Sequence, residues 1–140
     1  MGTFTNDGLA AARDGITAAW NAGAGTPLPA LIFKTAADAV IATITMQNPP
    51  AGAASSGGSV NLNPPNGETD WLGSGSGYEF TASGTGTVAK CVLDDGSANV
   101  LEELTVGTSG TDVIVNTTSW VTGNTYRVTA TPSLTTSNPA

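Results

Sequence analysis

The spacing of apolar residues changes character about a fifth of the way along the chain. Leu9, Ala12, Ile16, Ala19 and Trp20 recur at intervals of three and four, which predicts a helix with one apolar stripe. Thr5 or Asn6 can cap it, Asp7 suits the positive end of the helix dipole, and Gly23 or Gly25 can end it. The stripe fits two arrangements, packing on the chain's own domain or docking as an arm on another subunit. From residue 30 the period falls to two. Residues 30–34 predict a short strand and residues 40–47 a longer one. The latter has Val40, Ala42, Ile44 and Met46 on one face and Ile41, Thr43 and Thr45 on the other. Asn48-Pro49-Pro50 ends it, because proline lacks a ladder donor and restricts the residue before it.

Residues 51–58, AGAASSGG, predict a connection of low complexity, followed by a short strand at 59–63. Pro64-Pro65-Asn66-Gly67 is a turn signal, and residues 68–77 read as a loop with Trp71 and Leu72 as its apolar anchor. Strands are then predicted at 78–82, 88–93, 100–106, 111–116 and 126–131, separated by SGTG, DDGS, GTSG and VTGN. Asp94-Asp95-Gly96-Ser97 has the residues a hairpin turn requires. Many short strands with regular turns predict a mainly β fold. The expected form is a single β-sandwich or jelly-roll-like domain with an N-terminal α-helix. The expected divisions are a helix or arm at 1–25, the β-domain at 26–132 and a polar C-terminal tail at 133–140.

Composition changes this picture in one respect. Only 11% of the residues are charged and 6% aromatic, against about a quarter charged in an ordinary soluble chain. The surface must therefore be solvated by hydroxyls, amides and backbone, which suits close packing against a neighbour and suits flexible loops equally. Eleven acids against Arg13, Lys34, Lys90 and Arg127 give a net charge of −7, and the scattered cations form no stripe along which a nucleic-acid backbone would lie. The beginning of the sequence lacks the basic and apolar regions of a signal peptide, and no apolar run approaches bilayer length. No nucleic acid and no membrane are expected as partners.

Candidate chemistry is sparse. The chain has no histidine, which removes the usual general base at neutral pH and the commonest metal ligand. Cys91 is the single cysteine and reads as a small packed residue of a strand rather than a nucleophile. Asp94-Asp95 and Glu102-Glu103 flank one predicted hairpin, but neighbours on a strand point to opposite faces, so neither pair is a ready dyad. A weak calcium site at the 94–99 turn is the alternative reading of those acids, although the EF-hand pattern is absent. The glycine-rich stretches match neither a phosphate loop nor a dinucleotide fingerprint, and Gly73–Gly77 has glycine where a nucleophile elbow needs serine. Asn116-Thr117-Thr118 fits the glycosylation triplet by chance. No enzyme activity, cofactor or metal is expected.

Two segments carry a family resemblance. LIFK…VIATITMQNPPAGAASSGG (residues 31–58) and SGTGTVAKCVLDDGSANVLEELTVGTSGTDVIVNTTSWVTG (residues 83–123) resemble, in order and spacing, small structural proteins of tailed-phage and prophage virions. The likeness covers most of residues 30–129 and departs from the pattern at Pro50 and across residues 68–78. The resemblance implies a capsid decoration, or cement, protein on the exterior of the virion capsid, assembled in the cytoplasm of a host bacterium. It implies the major capsid protein as partner and a homo-oligomer, trimer or dimer, with a tail or tail-fibre component as the alternative. A carbohydrate-binding module would need a row of exposed aromatics, and Trp120, Tyr126, Tyr78 and Phe80 are too scattered to form one. On this reading the partner contacts come from the N-terminal segment and the Trp71 loop. The candidate interface residues are Phe4, Leu9, Ile16, Trp20, Trp71 and Leu72.

Overall fold

The computed structural model describes residues 5–21, 28–52, 54, 58–73, 75–96 and 99–135. One helix, α1 (Asn6–Asn21), precedes a chain of short strands: β1 (Ala30–Lys34), β2 (Val40–Thr45), β3 (Ser59–Asn61), β4 (Tyr78–Thr81), β5 (Gly86–Thr87) and β6 (Lys90–Asp94). β7 (Val100–Gly107), β8 (Val113–Ile114), β9 (Ser119–Trp120), β10 (Thr125–Val128) and β11 (Ser133–Thr135) follow. The fold is mainly β and sandwich-like, with a curled sheet and the expected N-terminal helix.

The largest sheet has the order β2-β1-β6-β7-β8, antiparallel except for the β7–β8 pair. β6 lies in its middle, and Cys91, Val92, Leu93 and Asp94 are all buried, as expected of a strand covered on both faces. Three two-stranded ladders complete the domain: β10-β4, β11-β3 and β5-β9. The aromatic side chains join the two sets. Phe33 of β1 stacks on Phe80 of β4 with centroids 5.4 Å apart, and Trp120 of β9 meets both rings edge-on. Tyr126 of β10 stacks against Trp120 at 5.5 Å. Such pairs contribute roughly 0.5–1.5 kcal/mol each beyond the area they bury. Their polar ends are also satisfied, Trp120 Nε1–H donating to the Thr117 carbonyl and the Tyr126 hydroxyl accepting from the Val121 amide.

Three expectations need correction. Strict alternation fails in β2, because Phe33 faces Ala42 while Lys34 faces Val40, leaving Ile41 as an extra residue. This bulge turns Ile41 and Ala42 both into the core and leaves Val40 exposed. The first three residues of the polar tail expected at 133–140 are a strand instead. Ser133–Thr135 is β11, paired with β3, and Leu134 is buried in the core; residues 136–140 lie outside the described residues. Finally, Ser119–Trp120 is a strand paired with Gly86–Thr87, where no strand was expected on either side. The hairpin expected at residues 94–97 does join β6 to β7, with Gly96 at a φ of +90° and the Asp95 amide donating to the Asn99 carbonyl.

α1 packs on its own domain. Leu9 is buried, and Gly58 provides its seat. A Cβ on Gly58 would lie 2.8 Å from the Leu9 carbonyl oxygen, so only a glycine allows this approach. Arg13 is buried and donates to both carboxylate oxygens of Glu102 on β7, at 2.8 and 3.3 Å. The Asp14 carboxylate accepts the Ala54 amide at 2.7 Å.

Candidate functional site

The expected interface residues separate into three groups. Leu9 (8% exposed) and Trp71 (2%) are buried in the chain's own interior, so in this structure neither offers surface to a partner. Burying these large apolar groups in cis removes them from water as effectively as a partner would. Ile16 (43%) and Leu72 (38%) remain exposed. Phe4 and the side chain of Trp20 lie outside the described residues. Of the four whose side chains are described, only Ile16 and Leu72 are exposed.

What the structure does bring together is a cleft beside the Trp71 loop. Trp71 is driven inward by its size, and its indole N–H is satisfied by the Leu62 carbonyl at 3.0 Å. The next residues reverse tightly, with Asp70 Oδ1 accepting the amides of Leu72 and Gly73, both at 2.6 Å, and the Gly75 amide donating to the Leu72 carbonyl. At the loop's far end Gly77 has a φ of +103° and lies so close to β10 that a Cβ there would overlap the Val128 carbonyl. A buried tryptophan at one end and a glycine wedged against a strand at the other hold the loop in place.

Between this loop and the β4–β10 ladder lies an open cleft of about 450 Å³, lined by Glu68, Asp70, Tyr78, Glu79 and Arg127 with Trp71, Ser76 and the flanking glycines. Glu79 and Arg127 face each other across the ladder register and form an ion pair, with Arg127 Nε 3.1 Å from Glu79 Oε1. The lining thus carries three carboxylates against one guanidinium that is already held. Asp70 Oδ2, the Glu68 carboxylate and the Tyr78 hydroxyl have no hydrogen-bond partner among the described residues. The Tyr78 hydroxyl is pushed above its usual range, first by burial and then by the negative charge of Glu68. Trp71 meets Tyr78 edge-on at 6.0 Å, so Trp71 backs the cleft wall rather than presenting a face to it.

The sequence reads residues 68–77 as a loop with an apolar anchor and assigns its acids no role. One signal was present. Glu68 and Asp70 flank Thr69 and Trp71 follows directly, a polar run ending in a large apolar residue that marks an anchored loop with its carboxylates outward. Glu79 and Arg127 come from segments 48 residues apart and meet only through strand pairing.

The acids at the β6–β7 hairpin are committed to local structure. Asp94 is buried and accepts the Gly96 amide, while Asp95 accepts from the backbone and side chain of Asn99. Among the described residues no group of three or more potential ligands is placed to hold a metal. Cys91 is fully buried, and desolvation pushes its thiol far above the usual range, with a weaker opposing contribution from the Ile32 backbone. No helix among the described residues is long and apolar enough to cross a membrane. No family model, no curated protein and no solved structure matches the chain.

Proposed function

We propose that this chain is a non-enzymatic structural component of a tailed-phage particle, a decoration protein that binds the lattice of major capsid protein and stabilises the head. The observation that carries the reading is how its side chains are used. Phe33, Phe80, Trp120, Tyr126 and Trp71 are all packed inside, so the described surface offers no aromatic platform for a sugar. That surface is made of hydroxyls, amides and sparse charge, with single exposed apolar residues at Ile16, Val40, Leu72, Val100 and Val121. Such a body adds contact area without chemistry, as a cement protein must. The two segments that resemble virion proteins, residues 31–58 and 83–123, include β1, β2 and β5 to β9, the greater part of the large sheet.

A stable contact with a shell needs about 1,000 Å² of buried surface, or several weaker contacts linked by avidity. A trimer or dimer at a capsid symmetry axis supplies that multivalency. Electron cryo-microscopy of purified particles, with the protein's copy number measured against the major shell protein, tests this. Copies at lattice positions on the shell are expected. Copies confined to the tail would make the chain a tail component, and absence from particles would overturn the assembly reading.

A further inference from the structure

Asn66-Gly67 is the one Asn-Gly pair in the sequence, and it sits at the centre of the turn that leads into the Trp71 loop. The Glu68 amide donates to the Pro65 carbonyl at 3.0 Å and Gly67 has a φ of +87°, the arrangement of a type II turn. Both central residues are exposed, while Pro65 before them is buried. The Asn66 side chain and the Gly67 N–H have no hydrogen-bond partner among the described residues. A Cβ built on Gly67 would meet nothing within 4 Å, so the space beside its backbone is open. The other asparagines described in the β-domain lack this combination. Asn48 and Asn63 precede prolines, which have no N–H, and Asn61 precedes Leu62, whose N–H donates to the Pro132 carbonyl at 2.9 Å. Asn99, Asn116 and Asn124 precede valine or threonine, whose branched side chains crowd the nitrogen.

We infer that Asn66 is a site of spontaneous covalent modification in which the chain's own backbone is the nucleophile. The Gly67 nitrogen, its proton removed by hydroxide, attacks the side-chain amide carbon of Asn66. A bond forms between that carbon and the backbone nitrogen, the carbon's bond to the side-chain nitrogen breaks, and ammonia leaves with a proton taken from water. One water molecule then opens the resulting five-membered imide. Opening at the backbone carbonyl leaves isoaspartate, and opening at the side-chain carbonyl leaves aspartate. Glycine after the asparagine eases the ring closure, because no Cβ shields the nitrogen. Either product adds a negative charge two residues before Glu68, in a chain already at −7. Isoaspartate also inserts a main-chain carbon inside the ring that the Pro65–Glu68 hydrogen bond closes, so that bond is lost. The same turn carries the Asn66 amide onto the Thr45 carbonyl at 3.0 Å, so the change falls on the cover of the β2 edge.

The experiment keeps the folded full chain, Asn66→Gln and Gly67→Ala for several weeks at physiological temperature, at neutral and at mildly alkaline pH. Peptide mapping by mass spectrometry locates any change, and an isoaspartyl methyltransferase, used as a reagent, counts isoaspartate in the peptide that holds residue 66. In the native protein a gain of one mass unit is expected in that peptide, faster in proportion to hydroxide, with isoaspartate in excess over aspartate. Asn66→Gln is expected to show no gain over the same period, because its longer side chain closes a slower six-membered ring. Gly67→Ala is expected to slow the gain at least several-fold, because a methyl group then crowds the attacking nitrogen. No gain at Asn66 in the native protein, or a gain only at other asparagines, overturns the inference. An unchanged rate in Gly67→Ala, or aspartate formed without isoaspartate, also overturns it, since either result means direct hydrolysis of the side-chain amide without backbone attack. This chemistry does not depend on what the chain assembles with, so its failure would leave the decoration reading in place.

Discussion

Gly77 and Gly110 both lie at positive φ, +103° and +69°, yet their surroundings differ. A methyl group on Gly110 would enter open space, whereas on Gly77 it would meet the Val128 carbonyl. Gly110→Ala is therefore expected to cost about 1 kcal/mol, for the dihedral alone, and Gly77→Ala about 2–4 kcal/mol, for the dihedral plus overpacking. Urea midpoints at constant slope would check the ranking. Cys91 supports a prediction of different sign. Burial raises its folded pKa, so the folded state keeps the thiol proton above the unfolded value of about 8.5, where the unfolded chain releases it. Stability then declines as pH rises above that value, by at most about 1.4 kcal/mol per unit from this group. Comparing native protein with Cys91→Ala by urea unfolding at about pH 8 and 9.5 should show a smaller decline in the variant; equal declines would remove Cys91 as the cause. That Cys91 is a packed residue was legible from its place in a strand. That Trp71 would be interior was legible from its size, but its Leu62 partner was not.

At the scale of elements, the sequence located the strands of the main sheet because their alternation is local. It missed what depends on pairing. Ile41 is bulged only because β1 fixes the register of β2, and β5 and β9 are strands only because each finds the other. Two residues with no apolar rhythm carry no signal of their own. The same holds for Leu134, which lies in a serine- and threonine-rich stretch and is held by β3. The helix shows a related limit, since its stripe was compatible with a partner or with the domain, and Gly58 and Glu102 decide for the domain. Arg13→Ala leaves Glu102 without that cation and should loosen α1 without opening the sheet. Hydrogen exchange is expected to quicken about 10- to 100-fold in α1 while amides of β6 keep their protection. Equal quickening in both would mean that the helix and sheet unfold as one unit.

On the scale of the whole molecule, the way the sheet edge is closed constrains how copies can assemble. β2 is an edge of the main sheet, but the Ile41 carbonyl accepts the Ser83 and Gly84 amides and the Thr45 carbonyl accepts the Asn66 amide. Loop backbone thus covers acceptors that an incoming strand would need, which turns association away from strand addition and towards loops, faces and the helix. Among the described residues the contiguous core cluster contains no residue of α1. Removing residues 1–22 should therefore leave a folded β-domain, with its β-type circular dichroism kept. Its melting temperature would be lowered by the lost Leu9 contact and the unpaired Glu102. If α1 turns its Ile16 face to the shell, the truncated domain will fold and no longer bind particles. Binding retained at full strength would place the whole contact on the β-domain, with the Trp71 loop as its remaining candidate.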